Sequence, residues 1–227
     1  MPVSKTHHYN SNQYERPSVT VDVVMMSLRQ QDLEVLLVNR YSWPYKGMWA
    51  IPGGFVHIDE SLEEAARREL REQTGVQDVY LEQLYTFGDP ARDLRTRVIT
   101  VVYFALLDAA QLQASADSDK EYVGWFSVYH LPPLAFDHVQ ILQYALNRLR
   151  GELAYTTIAF RLLPEQFTLR ELQQVYEMIL HRRLDKRNFR KKLVSTGALE
   201  DTGVKKMEGT HRPARLYRFH ASMEGKV

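Results

Sequence analysis

The 227-residue chain contains no cysteine. That excludes a disulfide framework and thiolate metal sites, and it suits a reducing compartment, so a cytoplasmic location is expected. No run of about 18 apolar residues occurs, so no membrane-spanning helix is expected. Residues 1–12 are polar and lack the apolar stretch of a secretory leader. Internal repeats, low-complexity tracts, a P-loop and a nucleophile elbow are all missing, and the eight histidines are not spaced as zinc ligands. Overall charge is nearly nil, with 29 Lys and Arg against 28 Asp and Glu. The balance is nevertheless uneven along the chain. Residues 151–227 hold 15 basic and 9 acidic residues, net +6, whereas residues 1–150 are net −5. An acidic front and a basic back suggest a polyanion-binding module joined to something else. An unevenly charged, solvated surface is the bland alternative. What is present, 44% hydrophobic and 11% aromatic residues, suffices for a domain of about 150 residues plus a smaller one.

Residues 19–26 (VTVDVVMM) and 34–40 (EVLLVNR) predict two strands joined by a hairpin through Arg29-Gln30-Gln31-Asp32. Ser61-Leu62-Glu63-Glu64 has the form of a capping box and Gly75 stands where a C-cap glycine belongs, which predicts a helix between them. On it Leu62, Ala65, Ala66, Glu69, Leu70 and Gln73 share one side. Residues 79–86, 97–107 and 121–126 read as further strands, and an amphipathic helix is expected over about 137–149. Tyr103 and Phe104 alternate on their strand, so one is expected in the core and the other is free to line a pocket. This order favours an α+β fold, a mixed-sheet sandwich. The boundary is placed where the charge changes sign, giving a ligand-sensing domain over 1–153 and a DNA-binding domain over 154–227; residues 154–160 read as either a strand or a connector. Beyond it, Thr168-Leu169-Arg170-Glu171 forms a second capping box, followed by Leu172, Val175, Tyr176, Ile179 and Leu180 at helical spacing. A break at 181–184 precedes Asp185, a good N-cap, then a helix over 186–196 stopped by Gly197. Strands over 204–207 and 214–219 flank a turn at Glu208-Gly209. Helix, short turn, helix and hairpin make a winged helix-turn-helix.

The segment between the first strands and the first helix end carries the chemistry. It reads Gly54, five residues, Glu60, seven residues, then Arg68-Glu69-Leu70-Arg71-Glu72-Gln73-Thr74-Gly75-Val76. Gly53 and Gly54 let backbone approach closely and turn sharply. Glu69, Glu72 and residue 73 lie three and four apart, so all can face one site. Mg²⁺ takes a few carboxylates plus substrate phosphates and can activate water. Glu60 and Arg68 are placed to pair and fix the loop on the helix. This spacing resembles the Nudix box, and the resemblance extends to Arg40 leading into Gly47-Met48-Trp49-Ala50-Ile51-Pro52-Gly53-Gly54-Phe55, and to Gly124-Trp125-Phe126 followed by Leu131-Pro132. The resemblance implies a diphosphate pocket in which positions 69, 72 and 73 carry the catalytic and metal carboxylates of active members. Glu69 and Glu72 keep theirs; position 73 is an amide. Weak Mg²⁺ binding and absent or residual hydrolysis are therefore expected. Arg40, Gly53, Gly54, Phe55, Arg68 and Glu69 are candidate ligand-binding residues. Arg92 and Arg95 join them from a charged loop with Asp89 and Asp93, which a plain solvated turn would explain equally well.

On the second tail helix, Phe189 and Leu193 inward leave Arg187 and Lys191 on the opposite face with Asn188 beside them. Arg suits guanine and Asn adenine in the major groove, while Lys secures phosphates. The candidate DNA contacts are Lys186, Arg187, Asn188, Arg190 and Lys191 on the helix, with Lys205, Lys206, Arg212 and Arg215 in the hairpin. The alternative is a basic helical hairpin that docks on another protein surface. An imperfect Nudix box followed by a winged helix ending in His211-Arg212-Pro213-Ala214-Arg215-Leu216-Tyr217-Arg218-Phe219, with the opening Tyr14-Glu15-Arg16-Pro17-Ser18-Val19-Thr20-Val21-Asp22, is similar to the NrtR family over about residues 9–219. That resemblance implies a dimeric bacterial transcription factor, usually a repressor of NAD-metabolism genes, that binds a double-stranded DNA operator and takes ADP-ribose or a related nucleotide as effector. Two other readings stay open: a working Mg²⁺-dependent ADP-ribose pyrophosphatase, and a sugar-responsive regulator of the same architecture.

Overall fold

Apolar alternation along the first strand sets the layering. In the computed structural model, which describes residues 15–77, 79–107, 122–153, 162–207 and 213–220, that strand is β1 (Ser18–Arg29) and it pairs antiparallel with β2 (Asp32–Asn39). Gln30 and Gln31 close the hairpin with φ of 48° and 64°. Two short strands, β3 (Trp49–Ala50) and β4 (Gly53–Phe55), pair with β2 and β1. β5 (Glu82–Phe87) lies antiparallel to β6 (Val98–Leu107), which runs parallel to β1, and β7 (Val123–Ser127) returns to β2. The seven form one mixed sheet.

Val21, Val23 and Met25 face α1 (Leu62–Thr74), where Ala65, Ala66 and Leu70 are buried. Val24 and Met26 face α2 (His138–Glu152) through Ile141, Leu142, Ala145 and Leu149. Each face seals a separate apolar layer, and burying one such Leu or Ile contributes roughly 2 kcal/mol. Tyr103 and Phe104 divide between the two layers, so both are core residues and neither is left over for a pocket. The stretch expected to be a strand from residue 79 begins pairing only at Glu82, because Val79 and Leu81 instead pack as buried loop residues under α1.

The tail opens with β8 (Phe167–Thr168) and α3 (Leu169–Leu180), whose N-cap Thr168 and Glu171 form the reciprocal capping box. α4 (Lys186–Ser195) is capped by Asp185, whose carboxylate accepts from the Asn188 N–H at 2.8 Å. β9 (Leu199–Lys206) and β10 (Ala214–Phe219) complete a three-stranded sheet with β8. β9 starts five residues before the expected 204, since LEDTGVKK carries charges and a positive-φ Gly203 where alternation would have marked a strand. Residues 154–160, the Glu208-Gly209 turn and Arg212 lie outside the described residues.

The two halves are not separated by a gap in the core. Phe167, Leu172, Val175, Ile179 and Leu193 belong to the same apolar cluster as Ile141 and Leu149. Among the described residues no helix is long and apolar enough to cross a membrane.

Candidate functional site

The Gly-Gly turn and α1 build one wall of a cavity of about 340 Å³. A β-carbon on Gly54 would stand 2.2 Å from the Glu69 carboxylate, and one on Gly53 would stand 2.3 Å from the Val21 carbonyl and 2.5 Å from Asp22 Oδ1. Gly53 therefore requires glycine, and a side chain at Gly54 would push the Glu69 carboxylate from its place. Arg68 grips Glu60 with Nε at 2.9 Å and Nη2 at 2.6 Å, which holds the Glu60 carboxyl down at about 2. Its Nη1 donates to Glu69 Oε1 at 2.7 Å, and its Nη2 also donates to the Phe55 carbonyl at 3.1 Å. The pairing of Glu60 with Arg68 read from the spacing is present, and it orients Glu69 as well.

Gln73 completes the wall in a way a glutamate could not. Its Nε2 donates to the Gly53 carbonyl at 2.7 Å and to Glu69 Oε2 at 2.6 Å, while its Oε1 accepts from the Gly53 N–H at 3.3 Å. A carboxylate at 73 would face a carbonyl and a second carboxylate without a proton between them. Both Glu69 oxygens are thus occupied by N–H donors. Glu72 stands 57% exposed on the outer turn with Arg68 Nη1 at 3.7 Å. Among the described residues no group of three or more His, Cys, Asp or Glu is arranged to hold a metal ion.

Three arginines line the cavity and a fourth, Arg68, stands behind its wall, each in a different electrostatic state. Arg92 is buried and doubly bonded to Asp137, at 3.0 and 2.8 Å. Arg95 is paired with Asp93 at 3.0 and 2.8 Å and lies over the Phe55 ring at 5.4 Å. Arg68 is fully engaged on the box. Arg40 differs: its Nε donates to the Pro44 carbonyl and its guanidinium lies 4.7 Å over the Phe136 ring, yet no carboxylate among the described residues is within ion-pair distance. Burial, and secondarily the charge of Arg95, lowers its proton affinity. A half-buried cation without a counterion is the feature an anionic ligand would neutralise.

The floor holds residues that the box does not announce. Asp22 and His138 are both buried there. Thr100 donates to Asp22 Oδ2 at 2.7 Å, and burial still pushes the Asp22 carboxyl up to about 6. His138 accepts the Ile51 N–H on Nδ1 at 2.9 Å, so its proton sits on Nε2, and burial lowers its pKa to about 3. Of the expected ligand residues, Arg40, Gly53, Gly54, Phe55, Arg92 and Arg95 line the cavity together with Gln73; Arg68 and Glu69 stand behind the wall. Thr20, Asp22, Phe136 and His138 also line the cavity without being marked as ligand residues by the motifs, although Thr20 and Asp22 lie in the opening stretch. Asp22 left a signal all the same, as the lone charge in an otherwise apolar strand sequence.

The basic tail presents a second surface. Lys186, Arg187, Asn188, Lys191 and Lys192 are exposed along α4, while Leu193 is buried and Phe189 packs edge-on against Tyr176 at 5.1 Å. Arg190 is half-buried, and its Nε is sealed from solvent without a hydrogen-bond partner, so it sits at the root of the helix and not on its outer face. In the wing, Arg215 is paired with Asp201 at 2.7 Å and Lys206 with Glu171 at 2.9 Å; Lys205 is exposed.

The turn between α3 and α4 is clamped from both sides. Glu177 accepts from the Leu184 N–H at 2.8 Å and from Gln173 Nε2 at 3.0 Å. From the sheet domain, the Tyr129 hydroxyl lies 2.6 and 2.9 Å from the carbonyls of Met178 and Ile179, and Arg150 Nε donates to the Ile179 carbonyl at 3.0 Å. These are the last carbonyls of α3, where positive charge complements the helix dipole.

Comparison with known proteins agrees with this division. Residues 16–145 match the model of the NUDIX domain and residues 159–219 that of the NrtR DNA-binding winged helix domain. The ADPR responsive transcriptional repressor NtrR of Acinetobacter baylyi is 41% identical over 215 residues, covering 93% of this chain and 85% of that protein. The crystal structure of Shewanella oneidensis NrtR with a 27mer DNA superposes with a TM-score of 0.76 at 39% identity, over 89% of this chain and 93% of that one. The Nudix domain of the same Shewanella protein, solved with ADP ribose, gives a TM-score of 0.54 at 37% identity over 63% of this chain and 94% of that one. A Nudix sheet with an amide in its box, continued by a basic winged helix, places this chain in the NrtR family of transcriptional regulators.

Proposed function

We propose that this protein is a dimeric repressor of NAD-metabolism genes that binds ADP-ribose in the Nudix cavity and releases its DNA operator in response. The observation that carries the reading is Gln73, whose amide N–H ties Glu69 to the Gly53 carbonyl and so takes up the carboxylate oxygen that a hydrolytic cation would need. The uncompensated Arg40 supplies a phosphate anchor, with the Phe136 ring beside it and the Phe55 ring beside Arg95. The site is thus suited to hold a diphosphate more than to cut it. Mg²⁺ has Glu69, Glu72 and the Gln73 carbonyl as potential oxygen ligands, but it would have to displace two donors from Glu69. It would therefore be held weakly and chiefly through the ligand's phosphates. When bound, Mg²⁺ would supply charge neutralisation of the diphosphate.

The ligand-sensing unit spans residues 1–153 and the DNA-binding unit 154–227 in this reading, and the protein works in the cytoplasm. Lys186, Arg187, Asn188 and Lys191 enter the major groove, and Lys205, Lys206, Arg212 and Arg215 flank it. Lys206 and Arg215 would exchange their present carboxylate partners for phosphates. α2 is the physical link between the two sites. His138 at its start is in the cavity floor and Arg150 near its end holds the α3 carboxyl terminus, about 18 Å apart at 1.5 Å per residue. A ligand that shifts the population of α2 positions would re-aim α4 in each protomer, and two half-sites would no longer be met together. The test is binding of the purified protein to its own upstream DNA with and without ADP-ribose, in parallel with an assay for AMP release. Slow or no AMP release and ADP-ribose-sensitive DNA binding support the proposal. Mg²⁺-dependent turnover near 1 s⁻¹ or faster without DNA affinity would replace it with the hydrolase.

A further inference from the structure

The cavity floor carries a donor and an acceptor that the protein leaves unused. His138 spends Nδ1 on the Ile51 N–H, so Nε2 carries a hydrogen, and it finds Asp22 Oδ1 only at 3.8 Å, too far for a hydrogen bond. Asp22 uses Oδ2 on Thr100, while Oδ1 accepts from no described residue. Both side chains are at least nine-tenths buried and line the cavity. Neither atom is sealed off by protein, so both stay open to a group that enters the cavity. Their neighbourhood is fixed, too: Arg92, which lies 3.8 Å from Asp22 Oδ2, is held by Asp137, and Gly53 leaves no room for a side chain beside Oδ1.

The chemistry of the missing partner follows from the pair. A phosphate oxygen offers no hydrogen and would meet a carboxylate. An ammonium offers no lone pair to the His138 N–H. A hydroxyl does both, accepting from Nε2 and donating to Oδ1, and two groups 3.8 Å apart can each reach one oxygen at ordinary hydrogen-bond length. The cationic and aromatic groups, Arg40, Arg95, Phe55 and Phe136, belong to the same cavity and suit phosphate and base. We infer that Asp22 and His138 form a hydroxyl-reading subsite that seats the pentose end of the ligand and distinguishes a sugar-terminated nucleoside diphosphate from the bare nucleotide. This rests on the ADP-ribose reading of the cavity and adds to it which end lies deepest and what selects it.

Asp22→Asn tests the assignment. The Asn carbonyl keeps the Thr100 bond, and its NH₂ then faces His138, so a donor meets a donor and the hydroxyl loses its acceptor. Calorimetric titration at pH 7.5 of wild type and variant with ADP-ribose and with ADP separates the contributions. Wild type is expected to prefer ADP-ribose by about tenfold or more, and the variant to lose about tenfold for ADP-ribose with less than a twofold change for ADP. Equal affinity of the wild type for the two ligands overturns the subsite without any variant, as does an equal loss for both ligands in Asp22→Asn. A wild type that binds neither ligand overturns the proposed ligand class itself, and the subsite with it.

Discussion

Asp22 should make this protein less stable at neutral pH than it need be, and replacing it should show by how much. Burial holds its carboxyl at about 6 against an ordinary value of 3.8, despite the Thr100 bond and the nearby Arg92 and Arg40, with Asp137 adding to the rise. The folded state therefore binds the proton more tightly than the unfolded chain. The stability this confers is present below pH 4 and is lost as pH rises through about 6. Two pH units and a little more correspond to about 3 kcal/mol at pH 7.5, falling to about 1.5 kcal/mol at pH 5. Asp22→Asn removes the titration while keeping shape and the Thr100 hydrogen bond. Urea unfolding of both proteins from pH 5 to 8 should find the variant more stable, with the difference growing by about 1.5 kcal/mol across that range. His138, lowered to about 3, pulls the other way in each protein as pH falls, so its effect cancels in the comparison. The donor–donor contact with His138 shifts the variant by the same amount at every pH, so a pH-independent difference would refute the claim that an ionised carboxylate is held in the floor against its own desolvation.

Other outcomes follow from the same geometry. Gln73→Glu puts a carboxylate against Glu69 and the Gly53 carbonyl, so the ligand-free protein should lose about 1–3 kcal/mol of stability, and Mg²⁺ should restore part of it; AMP release from ADP-ribose should rise by about tenfold, and unchanged metal affinity and turnover would contradict the role given to the amide. Arg40→Ala should weaken ADP-ribose and ADP alike, by about tenfold or more, in a titration where Asp22→Asn affects only the former. Tyr129→Phe deletes the hydroxyl that touches the Met178 and Ile179 carbonyls; DNA affinity without ligand should change little while the ADP-ribose effect on it shrinks, and an undiminished effect would remove this contact from the coupling route. Lys191→Ala should lower the slope of log affinity against log salt by about 1, whereas an unaltered slope would place α4 away from the phosphates.

How much of this the sequence discloses depends on whether the signal is local. Ser61 with Glu64, Thr168 with Glu171, and Gly75 announce the starts of α1 and α3 and the end of α1 because a cap is decided within four residues, whereas α2, the longest helix, starts at Asp137 without a side-chain cap. Glu60 and Arg68 can be paired on spacing alone, since a helix and a tight turn leave them one arrangement. The first half of β9, residues 199–203, stays hidden, because its pairing comes from β10 and not from any apolar alternation of its own. The cavity floor is hidden for a different reason. Asp22 and His138 are 116 positions apart and meet only through the sheet's parallel β1–β6 pairing and the docking of α2. A single charge inside VTVDVVMM was the available clue. Likewise the basic residues of α4 look alike in sequence, and only packing shows that Arg190 stands apart from Arg187 and Lys191.

Ligand occupancy at the Nudix cavity should be read out as DNA release. Fluorescence anisotropy of a labelled fragment from the protein's own upstream region, titrated with protein and then with ADP-ribose at fixed salt, tests it most directly. Salt-sensitive binding that ADP-ribose reverses, with the nucleotide recovered intact, is the expected result. DNA binding indifferent to ADP-ribose, or rapid conversion of ADP-ribose to AMP by a protein that ignores every fragment, would contradict it.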